Sequence, residues 1–327
     1  MRKRKIQSFL VELAAWDWFR FPQPPYRGKK WQVRFIPARD SMSRVIVDGR
    51  SYRPRQVVIQ AEDEKTAQRA LNLILGAFNV VLGEHFFPVS GTSMPRLYVE
   101  SISPSERFRF DDGPPRMSST STIPLACMIA ARTSLSLQHI YALAKLSLSI
   151  ETYSVPAMEL DPARGDNLPK SAFPEEHVRM AFSITTAYGC IEELGLEIRS
   201  SQQNPSKLNG TWNPVVRADV ETRLRSAGIN LSEHCSWNVR GERTKIEKKK
   251  PPVIVKAAPW SAWRVRDGDM DLVDALDLSS FLRSKISAHR TDKRLLRVLS
   301  AYDVANVQFL ARRLFLESLG FWRYLSI

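Results

Sequence analysis

The chain has 327 residues, of which 43% are hydrophobic and 25% are charged, and these ordinary proportions exclude a wholly disordered protein. No run approaches the ~18 apolar residues of a membrane span, so we expect no membrane partner. The basic start at residues 1–5 is typical of a signal peptide, but Glu12 and Asp17 interrupt the apolar stretch that should follow. The sequence therefore predicts a cytoplasmic protein.

The net charge of +14 is the main indication of a partner. The basic excess is shared along the chain and is not confined to a tail. A field of this sign favours binding of a polyanion, with RNA or another nucleic acid as the leading class. The alternative is a basic surface without a nucleic-acid partner.

The three cysteines, Cys127, Cys190 and Cys235, lie far apart, and no Cys-x-x-Cys pair occurs. His234 and Cys235 are adjacent, so their side chains point apart and make a poor start for a zinc site. We expect the cysteines to be small buried residues. The sequence predicts no metal site and no cofactor.

The first third of the chain is expected to mix strands and helix. Alternating or β-branched runs predict strands at residues 31–36, 44–47 and 56–60, and a further strand at 97–102. Between them, apolar residues recur every three or four positions from Asp63 to Glu84, which predicts an amphipathic helix. We interpret residues 1–110 as an α+β recognition or regulatory domain.

Residues 111–122 are rich in turn formers and predict an interdomain linker. Helical spacing dominates beyond it, so the predicted fold class is an α+β N-terminal domain followed by a mostly α-helical bundle over residues 123–327. The apolar stripe of the last helix leaves Arg312 and Arg313 off the buried face. The predicted helices are residues 124–132, 134–152, 174 to about 200, 214–227, 269 to about 289, and 302 to about 321.

One segment of the helical part is different in composition. Residues 240–268 contain the run Lys248, Lys249 and Lys250, followed by Trp260 and Trp263. Cations near exposed aromatic rings suit single-stranded RNA, because bases stack on the rings and phosphates meet the cations. The alternative is a solvated loop whose tryptophans pack on the core.

Arg283 and His289 are the best candidates for chemistry, near the end of a predicted helix. A guanidinium binds a phosphate and stabilises charge that develops on it, while an imidazole moves protons near neutral pH. The spacing alone carries little weight, because chance explains such pairs and Arg132 with His139 forms another. The alternative is an Arg and a His that favour the C-terminal end of a helix.

Three segments place the pair in context: the acidic helix end at residues 191–197, the run 278–289, and residues 302–304 at the start of the last helix. Together they resemble the HEPN superfamily, whose Arg-x4–6-His motif lies near the junction of the last core helices. The resemblance covers roughly residues 120–327. It implies a helical bundle that forms a homodimer and brings two Arg/His sets into one cleft.

By this resemblance, Arg283 would hold the phosphate, His289 would act as acid and base, and Glu192 or Glu193 would orient them. Ser284 stands where active members often have Asn, Asp or His, and Thr291 stands where one toxin branch has a Tyr. The implied function is a metal-independent endoribonuclease of a bacterial toxin–antitoxin or antiviral defence system, with an antitoxin or defence protein as a further partner. The alternative is a catalytically inactive HEPN-like module that binds RNA or protein.

Overall fold

The structure is a computed structural model that describes residues 6–16, 22, 24–37, 45–47, 50–52, 54–83, 97–99, 122–154, 174–240, 265–287 and 301–325. A small antiparallel sheet at the N-terminus is followed by a mostly helical region, as the sequence predicts. The chain folds into two compact units, Met1–Leu143 and Ala144–Ile327.

The N-terminal unit is built on a five-stranded sheet. Its strands are β1 (Gln7–Trp16), β2 (Tyr26–Gly28), β3 (Trp31–Pro37), β6 (Pro54–Ala61) and β7 (Leu97–Val99), while β4 (Val45–Val47) and β5 (Arg50–Tyr52) pair separately. The strand order is β2-β3-β6-β1-β7, and every neighbouring pair in the sheet is antiparallel. Phe9, Leu10 and Val11 of β1 are all almost fully buried, so both faces of this interior strand are covered.

Two helices complete this unit. The predicted helix over residues 63–84 is α1 (Glu64–Leu82), which begins at the N-cap Asp63 and ends at Gly83 in the left-handed conformation. α2 (Thr122–Thr133) packs against α1 and against β1 and β2. α2 is buried along almost its whole length, as expected for a helix that is apolar on all sides.

This packing bears on the domain boundary. The sequence assigns residues 123–143 to the helical domain, whereas in the structure they belong to the same unit as the sheet. The boundary between the units falls inside α3 (Leu137–Thr152). Residues 100–121, which hold most of the predicted linker, lie outside the described residues, so the linker at 111–122 stays a prediction.

The second unit contains four further helices in its described part. They are α4 (Pro174–Glu193), α5 (Pro214–Ser226), α6 (Leu272–Phe281) and α7 (Ala301–Ser318). Two hairpins lie between them, β8–β9 (Lys207–Leu208 with Thr211–Trp212) and β10–β11 (Cys235–Arg240 with Val265–Met270). A π-helical segment, Leu282–Ser287, continues α6.

A buried polar cluster joins α3, α4 and α7. The Gln308 amide nitrogen lies 3.0 Å from Ser149 Oγ and 2.9 Å from Ser183 Oγ, and it donates to the Tyr153 carbonyl at 2.8 Å. Ser149 and Ser183 also bond to each other's backbone carbonyls. Because a buried polar group is costly without partners, this cluster fixes the relative register of the three helices.

α4 is shorter than the sequence predicts, because it ends at Glu193 and not near Ser200. Gly195 adopts a left-handed φ of 70°, which stops the helix. The backbone N–H of Leu196 then bonds to the carbonyl of Ile191 at 3.1 Å, a helix-ending arrangement that satisfies a terminal carbonyl. The stop brings the two acidic residues, Glu192 and Glu193, to the last turn of α4.

Two other predictions for this unit are wrong. Asp269 does not start a helix, because it lies in β11 and α6 begins at Leu272 behind the N-cap Asp271. Arg313 does not lie off the buried face of the last helix, because it is only 1% exposed. The cost of burying this charge is offset by an ion pair with Glu317 and by three backbone carbonyls.

Candidate active site

The π-helical segment after α6 sets the position of Arg283. α6 begins at Leu272, behind the N-cap Asp271, whose carboxylate accepts bonds from two backbone N–H groups of the first turn. The helix buries most of its residues up to Phe281, and the segment Leu282–Ser287 then packs against α4. π-Helical turns are rare in proteins, and those that occur are often found at functional sites. The wider turn moves side chains away from regular helical spacing.

Arg283 and Glu192 form an ion pair between this segment and the end of α4. Nη2 of Arg283 lies 3.0 Å from Oε1 of Glu192, and the side chains are 37% and 35% exposed. An ion pair with this much solvent exposure adds only ~0–1 kcal/mol to the free energy of unfolding, so a contribution to stability does not by itself explain the pairing. Nε of Arg283 is buried and has no hydrogen-bond partner among the described residues. The carboxylate therefore orients a guanidinium that keeps other N–H groups for an anion.

Glu193 has a different partner. Its carboxylate lies 2.7 Å from Nζ of Lys145, on α3. Gly189, one turn earlier on α4, leaves room for the lysine stem, because a Cβ there would lie 3.1 Å from Lys145 Cδ. Successive helical residues point about 100° apart, so Glu192 and Glu193 face different neighbours. The sequence leaves the two acids equivalent, and the structure places Glu192 against Arg283.

The side chain of Ser284, the next predicted site residue, forms a hydrogen bond within its own helical turn. Its hydroxyl donates to the carbonyl of Ser280 at 2.7 Å. Tyr188 of α4, which is 3% exposed, lies close to the Ser280 side chain, and burial raises the pKa of Tyr188. The sequence does not single out Tyr188, because it lies on the apolar stripe of α4.

Several predicted site residues lie outside the described residues. They include the proposed acid and base, His289, together with Thr291. They also include the predicted RNA-binding residues Lys248, Lys249, Lys250, Trp260 and Trp263. Their roles stay predictions, and the geometry of the candidate site rests on Arg283, Glu192 and Ser284.

The second Arg/His pair has its own setting, in the N-terminal unit. Arg132 is exposed in the last turn of α2, and His139 lies in the first turn of α3. Burial lowers the pKa of His139 below its usual 6.5, and the positive charge of Arg132 lowers it further. At neutral pH this imidazole is therefore uncharged.

The cysteines are buried and free, as predicted from the sequence. Burial raises the pKa of the Cys235 thiol to about 11, so it is protonated at neutral pH. Over the described ranges, no three His, Cys, Asp or Glu side chains gather as they would around a metal ion.

We expect His177 to make the stability of this unit depend on pH. Its side chain is buried in the first turns of α4, and Nδ1 has no hydrogen-bond partner in the described part of the chain. Burial lowers the pKa below 6.5, so the folded state binds a proton less readily than the unfolded chain. The free energy of unfolding should therefore fall as pH decreases through about 6.5.

The measurement is urea unfolding of the full chain at pH 7.5 and pH 5.5. His177→Gln is expected to lose less stability between the two pH values than the parent protein. The exposed His234 offers a matched control, and His234→Gln should keep the parent's pH dependence. Equal pH dependence in the parent and His177→Gln would show that this histidine contributes nothing.

Comparison with known proteins identifies no family for this chain. No protein-family model matches the chain, and no curated protein or solved structure is significantly similar to it. Where the structure describes the chain, no helix combines the length and apolarity that crossing a membrane requires.

Proposed function

We propose that the second unit, Ala144–Ile327, forms a HEPN-like, metal-independent endoribonuclease of a bacterial defence or toxin system. The observation that carries the proposal is the half-exposed Arg283, presented on a π-helical turn and oriented by Glu192 from the neighbouring helix. The net charge of +14 supports RNA as the substrate class. An antitoxin or another defence protein is the further partner that this class implies.

The proposed reaction transfers a phosphoryl group within the RNA. The 2′-oxygen attacks the phosphorus, the bond to the 5′-oxygen breaks, one proton leaves the 2′-hydroxyl and one reaches the 5′-oxygen. Arg283 binds the phosphate oxygens and stabilises their developing charge. His289 moves a proton, and in a homodimer the His289 of one protomer serves one oxygen while that of its partner serves the other.

Glu192 is a positioning residue in this proposal. Arginine alone has many side-chain conformations, and a carboxylate at 3.0 Å restricts them before substrate binds. We expect Glu192→Gln to reduce the rate of RNA cleavage by roughly 10- to 100-fold, while the amide still fits the same space. The loss should appear mainly in kcat, because Glu192 does not touch the substrate.

Glu193→Gln is the matched control, because it removes the same charge one residue away. Its carboxylate pairs with Lys145, so cleavage should stay within about threefold of the parent. Thermal unfolding of both variants is the check that they fold. Equal losses in the two variants would assign Glu192 no special role.

The alternative is an inactive HEPN-like module that binds RNA or a protein. One observation favours this alternative. The Ser284 hydroxyl is hydrogen-bonded within the helix, whereas active members of the HEPN superfamily often carry Asn, Asp or His at this position. This alternative predicts salt-sensitive RNA binding without fragments. Binding should then survive His289→Ala and weaken when Lys248, Lys249 and Lys250 are neutralised.

A further inference from the structure

A small cleft with both polar and apolar lining lies at one end of the N-terminal sheet, beside the turn that joins β2 to β3. Its volume is about 360 Å³, at the small end of the ~300–1,000 Å³ range of ligand sites. Two cations and one carboxylate line it, together with two glutamine amides and the apolar side chains of Ile6 and Trp31. The charged and amide residues are Arg27, Lys30, Glu62, Gln32 and Gln60.

The strand register places a row of polar side chains across four strands at this cleft. Arg27 lies opposite Gln32, Gln32 opposite Gln60, and Gln60 opposite Ser8. Gln32 Nε2 donates to Gln60 Oε1 at 2.7 Å, and Gln60 Nε2 donates to Ser8 Oγ at 3.2 Å. This chain of bonds fixes the Gln32 amide and leaves its own carbonyl oxygen and second N–H for a ligand.

The turn between β2 and β3 is fixed by a hydrogen bond to the segment that follows α2. The backbone N–H of Lys29 donates to Ser134 Oγ at 2.8 Å, and that hydroxyl donates to the carbonyl of Ala131 at 2.7 Å. Gly28 is required, because an added Cβ would overlap both the Trp31 indole and Ser134 Oγ. The backbone that carries Arg27 and Lys30 is therefore fixed before any ligand binds.

The side chains of Arg27 and Lys30 are exposed, and neither makes an ion pair or a hydrogen bond with the described part of the chain. No acidic residue occurs in the sequence from 24 to 37, which also contains Lys29 and Arg34. Two cations beside a fixed amide suit a ligand that carries an anionic group next to a planar donor–acceptor edge. A phosphate and a nucleobase have this combination.

We propose that this cleft binds one ribonucleotide, either free or as a residue of single-stranded RNA. The phosphate meets Arg27 and Lys30, and the base edge meets the Gln32 amide. Ile6, which is 65% exposed, provides most of the apolar surface against which the base packs, while Trp31, which is only 7% exposed, contributes the part of its ring that lines the cleft.

This inference does not depend on cleavage by the helical part, so each can fail alone. The test measures binding of labelled five-residue A and U oligoribonucleotides to the full chain, with AMP and UMP as competitors. Every sample carries Arg283→Ala, so that the RNA stays intact. Competition by a monophosphate identifies a free nucleotide as sufficient ligand, whereas binding of the oligonucleotides alone identifies the RNA strand.

Arg27→Gln with Lys30→Asn is expected to weaken binding at least tenfold. Asparagine is chosen because Lys30 has a left-handed φ of 67°, which Asn tolerates. Lys65→Gln with Arg69→Gln removes the same charge from exposed positions of α1 and should change binding less than twofold. Equal weakening by both double variants, or none by either, would overturn the proposal.

Gln32→Leu tests whether the amide recognises the base. We expect it to bring the affinities for the A and U oligonucleotides to the same value, while the phosphate contacts keep binding measurable. A preference between A and U that survives Gln32→Leu unchanged, or a parent protein without any preference, would overturn the role of the amide.

Discussion

Arg283→Ala and His289→Ala are each expected to reduce RNA cleavage by at least about 100-fold. Loss of a group that stabilises transition-state charge typically costs ~10²–10³ in rate, and loss of an acid–base group costs ~10²–10⁴. Combining the two substitutions should cost little more than the larger single loss, because both groups act in one step. The same variants should relieve growth arrest when the protein is overproduced.

Folding and self-association provide the controls for this experiment. Among the described residues Arg283 makes one half-exposed ion pair, so its loss should change the free energy of unfolding by no more than about 1 kcal/mol. Both variants should elute with the parent protein in size-exclusion chromatography. Variants that remain folded and as toxic as the parent would show that the pair is not catalytic.

Arg313→Met is expected to produce the largest loss of stability, about 3–5 kcal/mol. The guanidinium is 1% exposed and bonds to Glu317 at 2.8 Å and to the carbonyls of Asn230, Glu233 and His234. Removing it leaves a buried carboxylate and three carbonyls without their cation. Urea unfolding of the full chain measures the change.

Arg225→Met is the matched control for Arg313→Met. Arg225 also pairs with a carboxylate one helical turn away, Glu221 at 3.1 Å, but it is 62% exposed. Its loss should cost less than about 1 kcal/mol. Adding Glu317→Leu to Arg313→Met should recover part of the lost stability, because the buried carboxylate is then gone as well. Equal costs for Arg313→Met and Arg225→Met would contradict this account.

The elements that the sequence predicts are those with a clear period or a clear stop signal. α1 matches its apolar spacing, α5 matches its predicted start at Pro214 and its end before Gly228, β3 matches its alternation, and β6 matches its β-branched run. β1 is not predicted, because alternation marks a strand with one exposed face. Phe9, Leu10 and Val11 are buried on both faces, so the strand has no such alternation.

The buried Arg313 shows a second limit of the sequence. An arginine in an amphipathic helix is normally placed on the exposed face. Its burial depends on carbonyl groups of residues 230–234, about 80 positions away along the chain, and no local pattern reports such partners. Gln308 is likewise buried with partners that no local pattern reports, because its amide bonds to Ser149 and Ser183 on two other helices.

For the candidate site, the sequence predicts which residue types take part, and the structure shows that Arg283 pairs with Glu192. The acidic end of α4 and Arg283 can be chosen from composition and from resemblance. The choice between Glu192 and Glu193 needs the end of α4 at Gly195 and the position of Lys145. The π-helical turn is also not predictable from spacing, since the sequence around Arg283 suits a continuous α-helix.

The most direct test of the central proposal is RNA cleavage by the purified full chain in the presence of excess EDTA, with analysis of the product ends. We predict fragments that carry a 2′,3′-cyclic phosphate and a 5′-hydroxyl, formed at a rate that EDTA does not change and that Arg283→Ala reduces at least about 100-fold. Intact RNA at stoichiometric protein, or cleavage by Arg283→Ala at the parent's rate, would contradict the proposal.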